Sequence, residues 1–188
     1  MRIAILGWGS LLWEGGPEFD RWHKPWKNDG PTLKLEFSRI SISRSRALTL
    51  VVDEKHGSPT RVAWCLSRRG AIDDAVCDLR CREGTTIKKI GRIVVAQATG
   101  PTDGDPEKSI VAWARSKKLD SVVWTALTSN FQKKTKKPFS VAAAISHLKG
   151  LDPVGKAKAA EYVWRAPEFV RTGLRAALQR EPWFSERG

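Results

Sequence analysis

The chain has 188 residues, of which 41% are apolar and 28% charged, a balance that excludes a disordered or fibrous polypeptide and allows one sizeable core. No apolar run reaches the roughly 20 residues needed to cross a bilayer, and Met1 to Gly7 is too short for a signal peptide, so a cytoplasmic protein without membrane contact is expected. Lys and Arg exceed Asp and Glu by 33 to 20, giving a net charge of +13 that attracts polyanions or small acidic substrates.

Residues Arg2 to Leu6 read as a short buried strand ending at the turn Gly7-Trp8-Gly9-Ser10. The stretch Leu12 to Pro31 reads as irregular, packed down by Trp13, Trp22 and Trp26. Leu33, Leu35 and Phe37 alternate with polar residues, and Ile40 and Ile42 resume the pattern after a bulge near Ser38. Ala47 to Val52 and Arg61 to Leu66, separated by the turn cluster Asp53 to Pro59, read as a hairpin.

Ala71, Ile72, Ala75, Val76 and Leu79 recur at helical spacing, with Asp73 and Asp74 in the first turn and Gly84 as a stop. Ile90 to Ala96 is a strand, and beyond Gly100 the character becomes helical, starting at Asp105-Pro106. Val122 to Leu127 is strand or helix. Ser140 caps a helix to Leu148, Asp152-Pro153 opens another, and Pro167 separates it from a last helix over Glu168 to Leu178. The expected fold is one α+β domain: a small mixed barrel or strongly curved sheet within residues 1–100, flanked by helices, and a mainly helical portion over 101–188.

Gly7-x-Gly9 after a strand resembles the start of a dinucleotide fingerprint, but Leu12 occupies the third glycine position and Gly15-Gly16-Pro17 cuts off the required helix. Ser10 lacks the frame of a nucleophile elbow. What the bend retains is a set of convergent backbone N–H groups suited to an oxyanion or carboxylate; its structural alternative is a tight turn with Trp8 covering the core. His23, His56 and His147 lie far apart and read as surface or packing residues, and the odd set Cys65, Cys77 and Cys81 contains no CxxC pair, so no metal site or disulfide framework is expected. Cys77 and Cys81, four apart on one helix, are expected to pack as buried thiols. Glu83 follows the helix that ends near Arg82, where unpaired carbonyls and burial disfavour its ionised form and suit it to acid–base work; an inward Arg82 opposes this.

Two segments carry a resemblance. Ile5-Leu6-Gly7-Trp8-Gly9-Ser10-Leu11-Leu12-Trp13 resembles the F-G-Y-G-S-L-I-W opening of the gamma-glutamylcyclotransferase superfamily, especially its ChaC-like branch. Ala75 to Glu83 is similar to that family's a-L-x-x-L-x-x-R-E segment, whose glutamate is the catalytic acid/base. The resemblance spans about the first hundred residues. It implies a small mixed barrel with flanking helices and a cofactor-free reaction, in which the α-amine of a small gamma-glutamyl amide attacks its own side-chain carbonyl and expels an amine or amino acid as 5-oxoproline forms. In that scheme Glu83 moves the proton, backbone N–H groups of Gly7, Trp8, Gly9, Ser10 and Leu11 hold the carboxylate or oxyanion, and Arg44 and Arg46 add charge for an acidic substrate. Trp8 stands where the family has tyrosine, which leaves an indole N–H in place of a phenolic hydroxyl.

The alternative comes from charge. Between Lys108 and Lys137 there are eight basic residues against one acid, Asp120, and Lys133-Lys134-Thr135-Lys136-Lys137 is the densest part. Read plainly, the run is a solvated loop. Read functionally, it is the surface by which a catalytically silent protein binds nucleic acid or an acidic partner.

Overall fold

The computed structural model describes residues 1–98 and 105–184, so Gly100, where the sequence changes character, lies outside the described residues. In chain order the strands are β1 (Ile3–Gly7), β2 (Thr32–Ile40), β3 (Leu48–Val52), β4 (Ser58–Arg61), β5 (Ala63–Leu66), β6 (Ile90–Val94) and β7 (Ser121–Thr125). The helices are α1 (Pro17–Asp20), α2 (Ile72–Glu83), α3 (Pro106–Ser116), α4 (Phe131–Thr135), α5 (Val141–Lys149), α6 (Pro153–Arg165) and α7 (Gly173–Leu178). The fold is mixed α+β. Contacts group the chain into two compact units, Met1–Leu33 with Arg61–Leu127 and Lys34–Thr60 with Thr128–Gly188. Among the described residues no helix is long and apolar enough to cross a membrane.

The first unit is built on a four-stranded sheet in the order β5-β1-β7-β6. β1 is central, parallel to β7 and antiparallel to β5. This explains why Ile-Ala-Ile-Leu-Gly is apolar without alternation: every residue of it is buried. The outer edge of β5 is covered by the irregular segment before β2. Lys27 and Trp64 exchange backbone bonds at 2.8 Å in both directions, and Lys24 donates to Leu66 O at 2.8 Å, which removes an open edge.

Helix α2 crosses from the end of β5 to the start of β6. It turns Ala75, Val76 and Leu79 onto Ile3, Ile5, Ile90 and Val123, and each large side chain so buried contributes about 2 kcal/mol. The same stripe corrects the expectation for Cys77 and Cys81. They lie on the opposite side of the helical turn and are exposed, whereas Cys65 is buried in the core, where desolvation pushes its thiol well above the usual range. Three groups join at Asp29: its carboxylate receives Trp64 Nε1–H at 2.7 Å and Lys117 Nζ at 2.6 Å, and its carbonyl accepts Trp113 Nε1–H at 2.9 Å.

The second unit contains the sheet ordered β3-β2-β4 and the helices α4 to α7. The β2–β3 register shifts between Glu36 and Arg39, the expected bulge. Ser140, Asp152 and Thr172 cap α5, α6 and α7 through their side-chain oxygens. Phe37 meets Tyr162 edge to face at 6.2 Å.

Four expectations change. The strands form two open sheets, not a closed barrel, because β5 pairs with β1 in one sheet while β2 holds the centre of the other. For the same reason Ala47–Val52 and Arg61–Leu66 do not form a hairpin; the second run breaks at Val62, Arg61 ending β4 of one sheet and Ala63–Leu66 forming β5 of the other. The last helix begins only after Thr172: Val170 N–H closes a turn onto Pro167 O at 2.9 Å, and Arg175 Nη1 ties down the carbonyls of Pro167 and Val170. The lysine run is partly helical, as α4; of the two readings open for Val122 to Leu127, the strand is the one found, as β7.

Candidate functional site

The chain after β1 turns through Trp8 and Gly9 into a short 3-10 helix, Ser10–Leu12. Its first closing bond runs from Leu12 N–H to Gly9 O at 2.9 Å, followed by Trp13 N–H to Ser10 O at 3.2 Å. The N–H groups of Gly9, Ser10 and Leu11 therefore stand ahead of the turn's own bonds, as at any helix start. Gly7 serves a different purpose from the one expected. A β-carbon there would come within 2.9 Å of the Trp26 ring, so glycine lets that indole lie across the end of the strand. Trp8 and Leu11 are buried, which anchors the bend from below.

Glu83 is the last residue of α2. Gly84, at φ +56°, closes the helix: its N–H bonds Cys81 O and the Thr85 N–H bonds Arg80 O, both at 3.2 Å. This left-handed closure is the one for which glycine is suited. It fixes the direction in which the chain leaves Glu83. The carboxylate is 18% exposed, and Arg82, whose side chain is 13% exposed, places Nη1 3.3 Å from Glu83 Oε1. Arg82 does point inward, so its opposing charge is present. Its Nε and Nη2 are buried without an acceptor, an excess of donors beside a single carboxylate.

Strand directions relate the bend to this helix end. β7 is parallel to β1, and β6 is antiparallel to β7 with Ile90 opposite Thr125. Ile90 thus lies at the end of the sheet where β1 reaches Gly7. β5, antiparallel to β1, delivers the chain at the other end, with Leu66 opposite Ala4. Helix α2 spans the sheet between these two points, so its carboxyl end lies at the end of the sheet where β1 reaches Gly7. Leu11 and Leu79, one from each segment, share one core cluster.

Arg44 and Arg46 lie in the second unit, in the loop between β2 and β3. Arg44 packs its guanidinium over the Tyr162 ring at 4.9 Å, and Arg46 is exposed in a left-handed conformation, φ +67°. The three histidines are packing residues: His23 sits between Phe19 and Trp26, His56 against Phe139 and His147 against Phe131. Among the described residues no group of three or more His, Cys, Asp or Glu side chains is arranged to hold a metal ion.

One buried carboxylate escaped the sequence analysis. Glu36 in β2 is 1% exposed, accepts the Phe37 N–H at 2.7 Å and the Leu174 N–H at 3.3 Å, and has its carboxyl raised above the usual range, chiefly by burial. It ties the centre of the second sheet to the start of α7. The only signal was an acid inside the run Leu33 to Ile42, which alternation assigned to the solvent side.

Compared with protein-family models, curated protein sequences and solved structures, the chain matches none.

Proposed function

We propose that the first unit is an active site of gamma-glutamylcyclotransferase type, which cyclises a small gamma-glutamyl amide to 5-oxoproline. One observation carries the reading. The helix end bearing Glu83 and the Gly7–Leu11 bend issue from the same end of the four-stranded sheet, so an acid–base group and a set of backbone donors serve one substrate. The reading rests on those two segments and their common sheet end. The family's barrel is no part of its support.

In this scheme the substrate's α-ammonium gives a proton to the Glu83 carboxylate. The freed amine attacks the side-chain carbonyl carbon, forming the ring C–N bond, and the oxyanion is held by backbone N–H groups of the bend. Collapse breaks the original amide C–N bond as Glu83 returns the proton to the departing nitrogen, and the ring nitrogen, which still carries two hydrogens and a positive charge, gives its second proton through Glu83 to the released amine, which leaves as an ammonium. Atoms and charge balance without a cofactor. Holding the chain folded converts the attack into an intramolecular step with a large proximity advantage. Arg82, whose Nη1 lies 3.3 Å from Glu83 Oε1, orients the Glu83 carboxylate. The setting is the cytoplasm, where the exposed thiols of Cys77 and Cys81 stay reduced.

The test is a panel of gamma-glutamyl amines, amides and dipeptides assayed for 5-oxoproline by mass spectrometry. Turnover by the native chain is expected, with a loss of about 10²- to 10⁴-fold in Glu83→Gln, the usual contribution of general acid–base catalysis. The same variant should keep its native circular dichroism. No product from any member of the panel, or full activity in folded Glu83→Gln, refutes the assignment.

A further inference from the structure

Outside this site the most distinctive surface lies in the second unit. Four side chains form a row of rings there: His56 lies tilted against Phe139 at 5.2 Å, Phe139 meets Phe131 at 5.3 Å, and Phe131 meets His147 at 6.0 Å. His147 Nε2 lies 2.9 Å from the carbonyl oxygen of Arg46. Phe131 and Phe139 are buried and bracket the lysine run in sequence, so the run is anchored at both ends over the middle of the row. Thr135 closes it: its hydroxyl donates to Phe131 O at 2.8 Å and accepts the Lys137 N–H at 3.2 Å. Lys133, Lys134, Lys136 and Lys137 are all exposed. Among the described residues none of the four ammonium groups pairs with a carboxylate. Arg46 extends the cationic strip at one end of the row, and Lys55, next to His56, at the other.

Two of the strip's cations also sit on left-handed backbone, a feature that Lys118 of the first unit shares at φ +53°. Lys136 adopts φ +63° and Arg46 φ +67°, a region that disfavours side chains with a β-carbon by roughly 1–2 kcal/mol and that glycine occupies freely. Each of these positions carries an exposed cation. The strip thus holds its charges on a short, internally bonded turn and on a loop fixed by a hydrogen bond to a packed histidine.

We infer that this strip binds the phosphate backbone of double-stranded nucleic acid without reading its sequence. Lysine ammonium groups are point charges suited to phosphate oxygens. The two phenylalanines of the row are buried and only His56 and His147 are partly exposed, a poor platform for stacking successive unpaired bases, and this favours a duplex over a single strand. No helix of a length to enter the major groove presents the lysines, because α4 has five residues.

The experiment measures fluorescence anisotropy of a labelled 20-base-pair duplex of mixed sequence with the full chain from 50 to 200 mM salt. Each phosphate contact lowers the slope of log K against log salt by about 0.9. The native chain is expected to give a slope of about −4 to −5. Replacing Lys133, Lys134, Lys136 and Lys137 with Gln should remove about three to four units of slope and weaken binding at the low-salt end about a hundredfold or more. Replacing the same four with Arg should retain both. A control carries the same charge loss on the first unit, at the exposed Lys24, Lys88, Lys89 and Lys118, and should leave the slope nearly unchanged. The inference fails if the control loses as much as the strip variant, or if the strip variant keeps the native slope. It also fails if poly-glutamate or phosphatidylserine vesicles bind through these lysines as tightly as the duplex, or if a single strand of equal length binds more tightly.

Discussion

The two units differ in where their charge sits. The first holds 16 Lys and Arg against 12 Asp and Glu, the second 17 against 8, so most of the net positive charge belongs to the second although the proposed chemistry belongs to the first. Their notable carboxylates differ in the same instructive way. Asp29 of the first unit lies at the surface and meets a cation and an indole; hydrogen bonds from Lys117 and then Trp64 hold its carboxyl below the usual range. Glu36 of the second unit is enclosed and meets only neutral donors, so burial raises it. One environment favours the charged form and the other opposes it, which gives these two carboxylates opposite contributions to the pH dependence of stability.

The largest expected effect tests whether the units respond separately at all. Leu79→Ala empties part of the first core and Leu174→Ala part of the second, both from fully buried positions, at a cost of about 3 kcal/mol each. Hydrogen exchange read by mass spectrometry should show Leu79→Ala accelerating exchange first in β1 and α2, and Leu174→Ala first in β2 and α7. Equal acceleration throughout both variants would break the comparison by making the chain one cooperative unit.

Glu36 gives the next effect. Its native pKa is raised, so it binds a proton more readily folded than unfolded; stability is highest below the unfolded value of about 4.3 and falls as pH rises through the raised native value. Glu36→Gln keeps the shape and the bond from Phe37. The urea midpoint of the native chain should decline between about pH 4.5 and 7 by more than that of the variant. Parallel curves would mean that Glu36 titrates as it does in the unfolded chain.

What was legible in the sequence follows the same division between local and long-range causes. Helix α2 was readable to within a residue because its determinants are local: acids in the first turn, a 3.6-residue apolar stripe and a glycine at the left-handed closure. Ser140 and Asp152-Pro153 announced α5 and α6 for the same reason. Strand partners were not readable. Arg61 to Leu66 looks like one strand, but Val62 divides it between two sheets, a choice made by contacts with β1 and β2 far away in sequence. The cysteines show a smaller failure, since four-residue spacing puts two side chains on one face without saying which face is buried. In the candidate site the bend and Glu83 were visible as motifs. Their common sheet end needed the strand directions, and the packing role of Gly7 needed Trp26, a residue nineteen positions away.

The smallest predicted effect sharpens the contrast from the other side. Asp29→Asn removes a carboxylate whose pKa is lowered, so the stabilisation it supplies is present above its unfolded value and is lost as pH falls through the native one. The side chain is half exposed and screened by solvent and salt, so the loss at pH 7 should be modest and should shrink at high ionic strength. It should appear in hydrogen exchange chiefly as faster opening of α3, because Lys117 loses its charged acceptor, and less in the strand-edge segment at Lys27 and Gly30, because the Asn amide oxygen can still accept the Trp64 N–H and the Trp113 bond to the residue-29 carbonyl remains. Once the pH falls far enough below the unfolded value for the native carboxylate to take up its proton, variant and native chain should converge. For Glu36 the order is reversed: the native chain and Glu36→Gln should differ most in pH response above about pH 4.5, with a change that salt leaves nearly intact because the carboxylate is enclosed. A salt-insensitive Asp29 effect would place its carboxylate in the same kind of environment as Glu36 and erase the electrostatic distinction between the units.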